Sequence, residues 1–197
     1  PKLVLIGVVK GGLTGSFTRG HIPDAYSVWR PDYTADEGKP YPFGGMVKNA
    51  AEFQDFARSL GIDNDSKVVI YDEKYDATRL WWSFFLYGKT DVRILDGGYE
   101  GWKEAGYDTE MGGGNDKDSK TGNFVAQHRQ AQMVASMADV WRAKSDATLQ
   151  VWDTREPDEW SGETLKSGAF RKGRVPWAEF LSWKDFRVKV NDAPTEF

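Results

Sequence analysis

Cysteine is absent from all 197 residues. Without a thiol the chain can form no disulfide, no thiolate metal site and no thiol nucleophile of its own. Histidine is scarce, with only His21 and His128, so a His-rich zinc site is excluded and a Ser-His-Asp triad is poorly supported. No apolar run approaches the roughly 20 residues needed to cross a bilayer, and the N-terminus lacks the charged, apolar and small-residue order of a secretory signal. A soluble protein is expected, cytoplasmic or periplasmic, with the compartment itself unread. An excess of basic charge is missing too: 26 basic against 30 acidic residues leave a net charge of -4. That balance gives no reason to expect a nucleic-acid partner. No G-x-G-x-x-G or G-x-x-x-x-G-K follows a strand, so Asp96-Gly97-Gly98 reads as a tight turn rather than a nucleotide loop.

What is present is a globular composition, with 40% apolar residues and an aromatic set of 9 Trp, 11 Phe and 8 Tyr that can build a core. Leu3 to Val9 is apolar on both faces, as a central parallel strand would be. GHIPDAYSVW passes through Pro23 into a second short strand, and the polar, Gly- and Pro-rich stretch from Pro31 to Gly45 reads as loop. Ala50, Phe53, Phe56, Ala57 and Leu60 fall on one helical face, with Gly61 as a C-terminal cap. Lys67 to Tyr71 predicts a buried strand, Ala77 to Tyr87 a helix closed by Gly88, Val92 to Leu95 a strand, and Tyr99 to Ala105 a helix ending at Gly106. Strands alternating with helices argue for an α/β fold with a parallel sheet between helical layers. The aromatic residues Trp81, Trp82, Phe84 and Phe85 are read as helix packing rather than a cofactor stripe.

A first domain is expected over residues 1–109, a Gly-rich polar linker over 110–123, and the first part of a second domain over 124–197. In that second part Met133 to Ala143 predicts a helix and Leu149 to Trp152 a strand, while Gly162 to Phe197 holds no clear buried strand. So little sheet cannot cover a core of its own. The chain also starts at Pro1 without a Met and enters a strand at once. Both features lead to the expectation of a piece of a longer protein, truncated or nicked. A long-period duplication is visible: VLIGVVKGG...RGHIPDAYSVW and LQVWDTREPDEW...KGRVPWAEFLSW share the order strand, loop, Gly-basic-Ile/Val-Pro, aromatic segment.

Asp72 ends the central strand and precedes a helix. An anion is stabilised there by loop amides and the positive helix end. A cysteine at such a place would have a lowered pKa and could carry sulfur as a persulfide. An aspartate can cap the loop but cannot transfer sulfur. A structural role for Asp72 is therefore preferred to a chemical one, with Arg79 as its expected partner.

GHIPDA, then LGIDNDSKVVIYDEKYDATRLWWSFFLYGKTDVRILDGGYEGWKEAG, then WDTREPDEWSGE, in this order and spacing, resemble the tandem rhodanese family, the thiosulfate and mercaptopyruvate sulfurtransferases. The resemblance spans nearly the whole chain. It implies a rhodanese-like three-layer fold, a central parallel sheet flanked by helices, in two tandem copies of which the second is incomplete here. It also implies that Asp72 marks the catalytically silent copy at the cysteine-equivalent position, and that the reactive cysteine lies in a segment outside these residues. The implied activity moves sulfane sulfur from thiosulfate or a related anionic donor to cyanide or a thiol. No metal or organic cofactor is called for, and the implied partner is the C-terminal remainder of the same protein, in one chain or as a separate one. This chain alone should be inactive.

Within the resemblance, Asp153 and Arg155 are candidates for loop support or substrate contact, and Arg171 and Arg174 for anion contact on the same edge. His21, Arg79 and Asp96 are structural motif residues, His21 being read as a packed turn residue rather than a base. Four positions depart from the pattern: Gly7 where the first strand commonly ends in Asp, Lys10 in place of an aromatic residue, Trp177 in place of Gly, and Glu159 where some thiosulfate enzymes have Arg. These put thiosulfate as the donor in question. The alternative is a non-catalytic rhodanese-like module that binds a partner or carries sulfur.

Overall fold

A computed structural model describes residues 1–38, 43–73, 75–115, 120–127 and 131–186. The chain divides into two compact units, Pro1–Gln130 and Ala131–Phe197.

The first unit is built on four parallel strands, β1 (Leu3–Val8), β2 (Tyr26–Val28), β3 (Lys67–Asp72) and β4 (Val92–Ile94), in the order β2-β1-β3-β4. Between them come a short α1 (Arg30–Tyr33), α2 (Ala50–Ser59) and α3 (Asp76–Leu86), and α4 (Gly98–Glu104) follows β4. Val4, Ile6 and Val8 lie on one side of β1, and they are buried together with Val68, Ile70 and Val92 on the face that α3 covers. Phe53 of α2 joins that layer, its ring centroid 5.0 Å from Phe84 and 5.2 Å from Tyr87. Each such fully buried side chain contributes about 1.5–3 kcal/mol. The start of α2 is set by a reciprocal cap: Asn49 accepts from the Glu52 amide at 3.0 Å and Glu52 accepts from the Asn49 amide at 3.1 Å. Gly61, with φ +65, ends it as the sequence predicts. On the opposite face α4 packs on β3, and Val9, Phe17, Ile22, Ala25 and Tyr71 form a second cluster ringed by Leu5, Leu95, Tyr99 and Trp102.

Two expectations shift in this unit. Pro31 lies inside α1 rather than in loop, because Asp32 accepts from the Trp29 amide at 2.8 Å and Pro is tolerated in a first turn. The segment expected as linker, and the expected domain start at Phe124, both belong to the first unit. His21 and Glu110 exchange two backbone hydrogen bonds of 2.9 Å, the Gly122 amide donates to Arg58, and buried Phe124 meets Phe84 edge-on at 6.4 Å. Glycine there encodes close approach rather than slack: a Cβ on Gly122 would come within 2.1 Å of the Ile62 carbonyl.

The second unit holds α5 (Met137–Arg142), β5 (Trp152–Asp153), α6 (Pro157–Ser161) and β6 (Glu179–Phe180). Ser136 and Asp139 cap α5 reciprocally, so the helix starts later than the expected Met133. The strand expected at Leu149 to Trp152 is displaced to Trp152–Asp153, and β6 pairs with it in parallel where no strand was expected. Large apolar groups remain outside: Met137 is 81% and Phe170 72% exposed.

The pairings give the duplication a register. Ile6 pairs with Tyr26 as Trp152 pairs with Glu179. Gly7 therefore corresponds to Asp153, Val9 to Arg155, and His21 to Arg174.

Candidate functional site

The end of β3 places Asp72 five residues before Ala77, in the first turn of α3. Its Oδ2 accepts from the Ala77 amide at 2.6 Å. That amide is one of the donors left free at a helix start, where the macrodipole favours negative charge. Tyr75, at the N-cap position, supplies no side-chain cap, so Asp72 performs that function from the strand. The Asp96-Gly97-Gly98 turn closes over it: a Cβ on Gly98, at φ +56, would lie 2.5 Å from the Asp72 carbonyl. Asp96 is exposed and its Oδ1 accepts from the Gly97 amide at 3.0 Å, which makes it a turn residue. Arg79, expected on Asp72, donates its hydrogen bond to the Gly45 carbonyl.

Sequence reasoning missed the groups around this loop. Arg30 of α1 clamps Asp76, its Nε 2.7 Å from Oδ1. The Tyr33 hydroxyl is buried and has no hydrogen-bond partner among the described residues. Burial, then the Asp76 charge, pushes its pKa up to about 12, while Arg79 and Arg30 pull the other way. The signal available was Trp29-x-x-Asp32 around Pro31, a capping pattern for a one-turn helix.

Gly7 also has a physical reason. A Cβ there would lie 2.7 Å from the Tyr71 hydroxyl and 2.9 Å from the Phe17 ring. The Tyr71 hydroxyl accepts the Ile22 amide at 3.2 Å, and burial raises its pKa far above the usual phenol value. His21 is buried, stacked on Phe17 at 4.1 Å, with Nδ1 3.0 Å from the Phe17 carbonyl and Nε2 3.6 Å from Glu110. These contacts fit a packed turn residue.

In the second unit Asp153 and Arg155 form a two-point pair, Nε to Oδ1 at 2.9 Å and Nη2 to Oδ2 at 2.6 Å. Nη2 also donates to the Gly173 carbonyl at 2.8 Å, and Nη1 stands 3.8 Å from Glu159. The hydrogen bond from Arg155 holds the Asp153 carboxyl below the usual carboxylate range. Arg155 is thus committed to a brace between β5 and the turn before β6. Arg174 lies over the Trp160 ring at 4.3 Å and donates to its carbonyl at 3.1 Å, while Arg171 is exposed on the same loop. Trp177, a departure from Gly, does not adopt a left-handed φ, so no glycine is required there. In the first unit the brace is replaced by Gly7 and buried Val9, with Tyr71 and Phe17 filling the space.

Chemically, the first unit has an anion cradle filled by its own carboxylate, and the second has a braced cationic edge. No group of His, Cys, Asp and Glu residues suited to a metal ion occurs among the described residues. No helix of the described residues is long and apolar enough to cross a membrane.

Residues 14–105 match the family described as Rhodanese-like domain. The chain is 28% identical over 175 residues to a thiosulfate sulfurtransferase of Gallus gallus, covering 86% of this chain and 57% of the relative. It is 32% identical to a putative thiosulfate sulfurtransferase, SseA, of Mycobacterium bovis, covering 83% and 55%. The chain thus spans little more than half the length of these curated relatives. Among solved structures, the SseA 3-mercaptopyruvate enzyme from Escherichia coli superposes with a TM-score of 0.76 at 25% identity, over 93% of this chain and 70% of that one. The parallel sheet with flanking helices, the ordered motifs and these matches agree: residues 14–105 belong to the rhodanese-like domain family, and the chain as a whole is similar to thiosulfate and 3-mercaptopyruvate sulfurtransferases.

Proposed function

We propose that residues 1–197 are part of a rhodanese-type sulfurtransferase whose reactive cysteine lies outside them, on the second-unit counterpart of β3. The observation that carries this reading is Asp72: the first unit keeps the strand end, loop and helix amide that would stabilise a persulfide, but fills the place with a carboxylate. The second unit supports it, because β5 and β6 repeat the β1 and β2 register while β5 has one strand neighbour among the described residues and β1 has two.

The proposed chemistry needs no metal or organic cofactor. A cysteine thiolate attacks the outer sulfur of a donor such as thiosulfate, the S–S bond breaks and sulfite leaves with its electron pair. Cyanide or a thiolate then attacks the terminal persulfide sulfur, giving thiocyanate or a new persulfide and restoring the thiolate. Loop amides stabilise the anionic sulfur throughout. The Asp153–Arg155 brace would position the neighbouring loop, and Arg171 and Arg174 are the free-edge cations for an anionic donor. Substrate contact by Asp153 or Arg155 is the weaker part of the expectation, since both are committed to each other. A cytoplasmic or periplasmic setting suits this chemistry.

A thiocyanate-formation assay on the full-length gene product tests the proposal. Turnover lost on replacing the cysteine at that strand end by Ser supports it. An Asp, Ser or Gly already present there would favour the non-catalytic binding module, the reading that Asp72 favours for the first unit alone.

A further inference from the structure

The register of the first unit fixes where a reacting sulfur in the second would stand. Val8 of β1 pairs with Asp72 at the end of β3, and the duplication that lays Gly7 on Asp153 lays Val8 on Thr154. A cysteine at the counterpart of Asp72 therefore stands beside Thr154, about 4.8 Å away across neighbouring parallel strands. Asp153 and Arg155 flank that position. Their charges, and those of their partners, are what a sulfur donor meets there.

In Arg155 every guanidinium nitrogen is engaged. Nε and Nη2 hold the two oxygens of Asp153, Nη2 also holds the Gly173 carbonyl, and Nη1 stands 3.8 Å from Glu159. The carboxylates are the better buried members, with side chains 10% and 14% exposed against 38% for Arg155. Two carboxylates thus share one guanidinium, and the trio carries an excess negative charge. Glu159 is fixed by a second contact, since its Oε2 accepts the Glu156 amide at 3.3 Å in the capping box of α6. The cation left for a donor is Arg174, beside Gly173. Its guanidinium lies 4.3 Å over Trp160, whose ring stacks on Phe180 at 5.1 Å, and Nη1 donates to the Trp160 carbonyl. That stack fixes the guanidinium plane, and Nε and Nη2 have no partner among the described residues. Arg155 first, and then the Arg174 charge, hold the Asp153 carboxyl low, so Arg174 lies within electrostatic reach of the trio. Of the other cations, Lys166 and Lys172 turn to Asp158 and to the Glu163 carbonyl, and Arg171 is exposed, where salt screens it.

We propose that Glu159 sets the charge of the donor: by neutralising Arg155 it fits the second unit to a singly charged sulfane-sulfur donor, an organic thiosulfonate R–SO2–S⁻, in preference to doubly charged thiosulfate. This rests on the reading that a cysteine of the second unit is the nucleophile. The thiolate attacks the terminal sulfur, the S–S bond breaks, and the sulfinate R–SO2⁻ leaves with the electron pair. Thiosulfate reacts by the same step, but donor and leaving group each carry one more negative charge. Arg174 matches one such charge. A second would face the Asp153 and Glu159 carboxylates, which Arg155 alone does not balance.

The test compares two donors that differ in charge. Methanethiosulfonate has a methyl group in place of one thiosulfate oxygen and carries one negative charge. The full-length gene product is assayed with cyanide and each donor, and the ratio of the two kcat/KM values is the readout, because damage to the fold lowers both alike. Glu159→Gln keeps the side-chain shape and the capping acceptor. It is expected to shift the ratio toward thiosulfate about ten-fold at low salt, the size of one unit charge acting over about 10 Å, and the shift should shrink as salt is added. Glu163→Gln removes the same charge from an exposed position and should leave the ratio where it was. The unsubstituted protein gives an independent reading: added salt should favour thiosulfate over methanethiosulfonate, as it does wherever the second charge is repelled. A ratio that Glu159→Gln leaves unmoved, an equal shift with Glu163→Gln, or a salt effect of the opposite sign overturns the proposal. Turnover of both donors with an unmoved ratio removes the donor assignment and leaves the sulfurtransferase reading standing, whereas turnover of neither removes both.

Discussion

Asp72 and Ala77 are joined by a 2.6 Å hydrogen bond from the Ala77 amide to Oδ2, across the turn between the central strand and its helix. The bond seats a carboxylate where the helix start stabilises an anion, so the first unit is ordered by the same feature that a persulfide site would use.

Asp72→Cys should therefore yield a thiol more acidic than a free cysteine, whose pKa is about 8.5. The helix start favours the thiolate, so the folded value lies below that reference. The pH dependence of the iodoacetamide reaction measures it directly in this otherwise cysteine-free chain. A midpoint at or above the free-cysteine value would show that the cradle does not stabilise anions.

Gly7 and Tyr71 are coupled by contact. Gly7→Ala pushes a methyl group to 2.7 Å from the Tyr71 hydroxyl, an overpacking that costs about 1–3 kcal/mol. Tyr71→Ala should relieve most of that added cost, so urea unfolding of the single and double variants would be clearly non-additive. Additive effects would place the strain elsewhere.

Two of the buried tyrosines, Tyr71 and Tyr33, should respond oppositely to loss of the hydroxyl. Tyr71→Phe leaves the Ile22 amide without its acceptor and should cost about 1–3 kcal/mol. Tyr33→Phe removes a buried hydroxyl that lacks a partner among the described residues and should be neutral or stabilising. The ordering of the two urea midpoints is the readout.

Acid should loosen the second unit through Asp153. Its carboxyl is held below the ordinary 3.8 by Arg155, so its contribution is fully present above that value and is lost as pH falls through the lower, folded value. Asp153→Asn should remove this part of the acid transition while costing stability at neutral pH, because Arg155 loses its charged partner. Tryptophan fluorescence followed from pH 7 downward tests it. An acid transition unchanged by the substitution would contradict the assignment.

Much of this was legible along the chain. The run from Val68 to Tyr71, the spacing of Phe53, Phe56 and Leu60, and the glycines at 61, 88 and 106 report strand, helix and stop locally, and Asp72 follows from its place between two of them. Relationships that depend on register were not legible. Gly7 stood out as a departure, but only the pairing of β1 with β3 puts Tyr71 beside it. Residues 110–123 read as a linker because glycine and polar side chains carry no packing signal, whereas Glu110 and Gly122 are attached through backbone hydrogen bonds to His21 and Arg58, and Phe124 beyond them to Ile62. The two-residue β6 was invisible because so short a strand has no periodicity.

Sulfur transfer by the purified 197-residue chain, measured as thiocyanate formed from thiosulfate and cyanide beside the full-length gene product, is the most direct test of where the nucleophile lies. No turnover by the cysteine-free chain and turnover by the longer protein is the expected result. Turnover by the 197 residues alone would contradict it, since Asp72 would then have to do what a carboxylate in that cradle cannot.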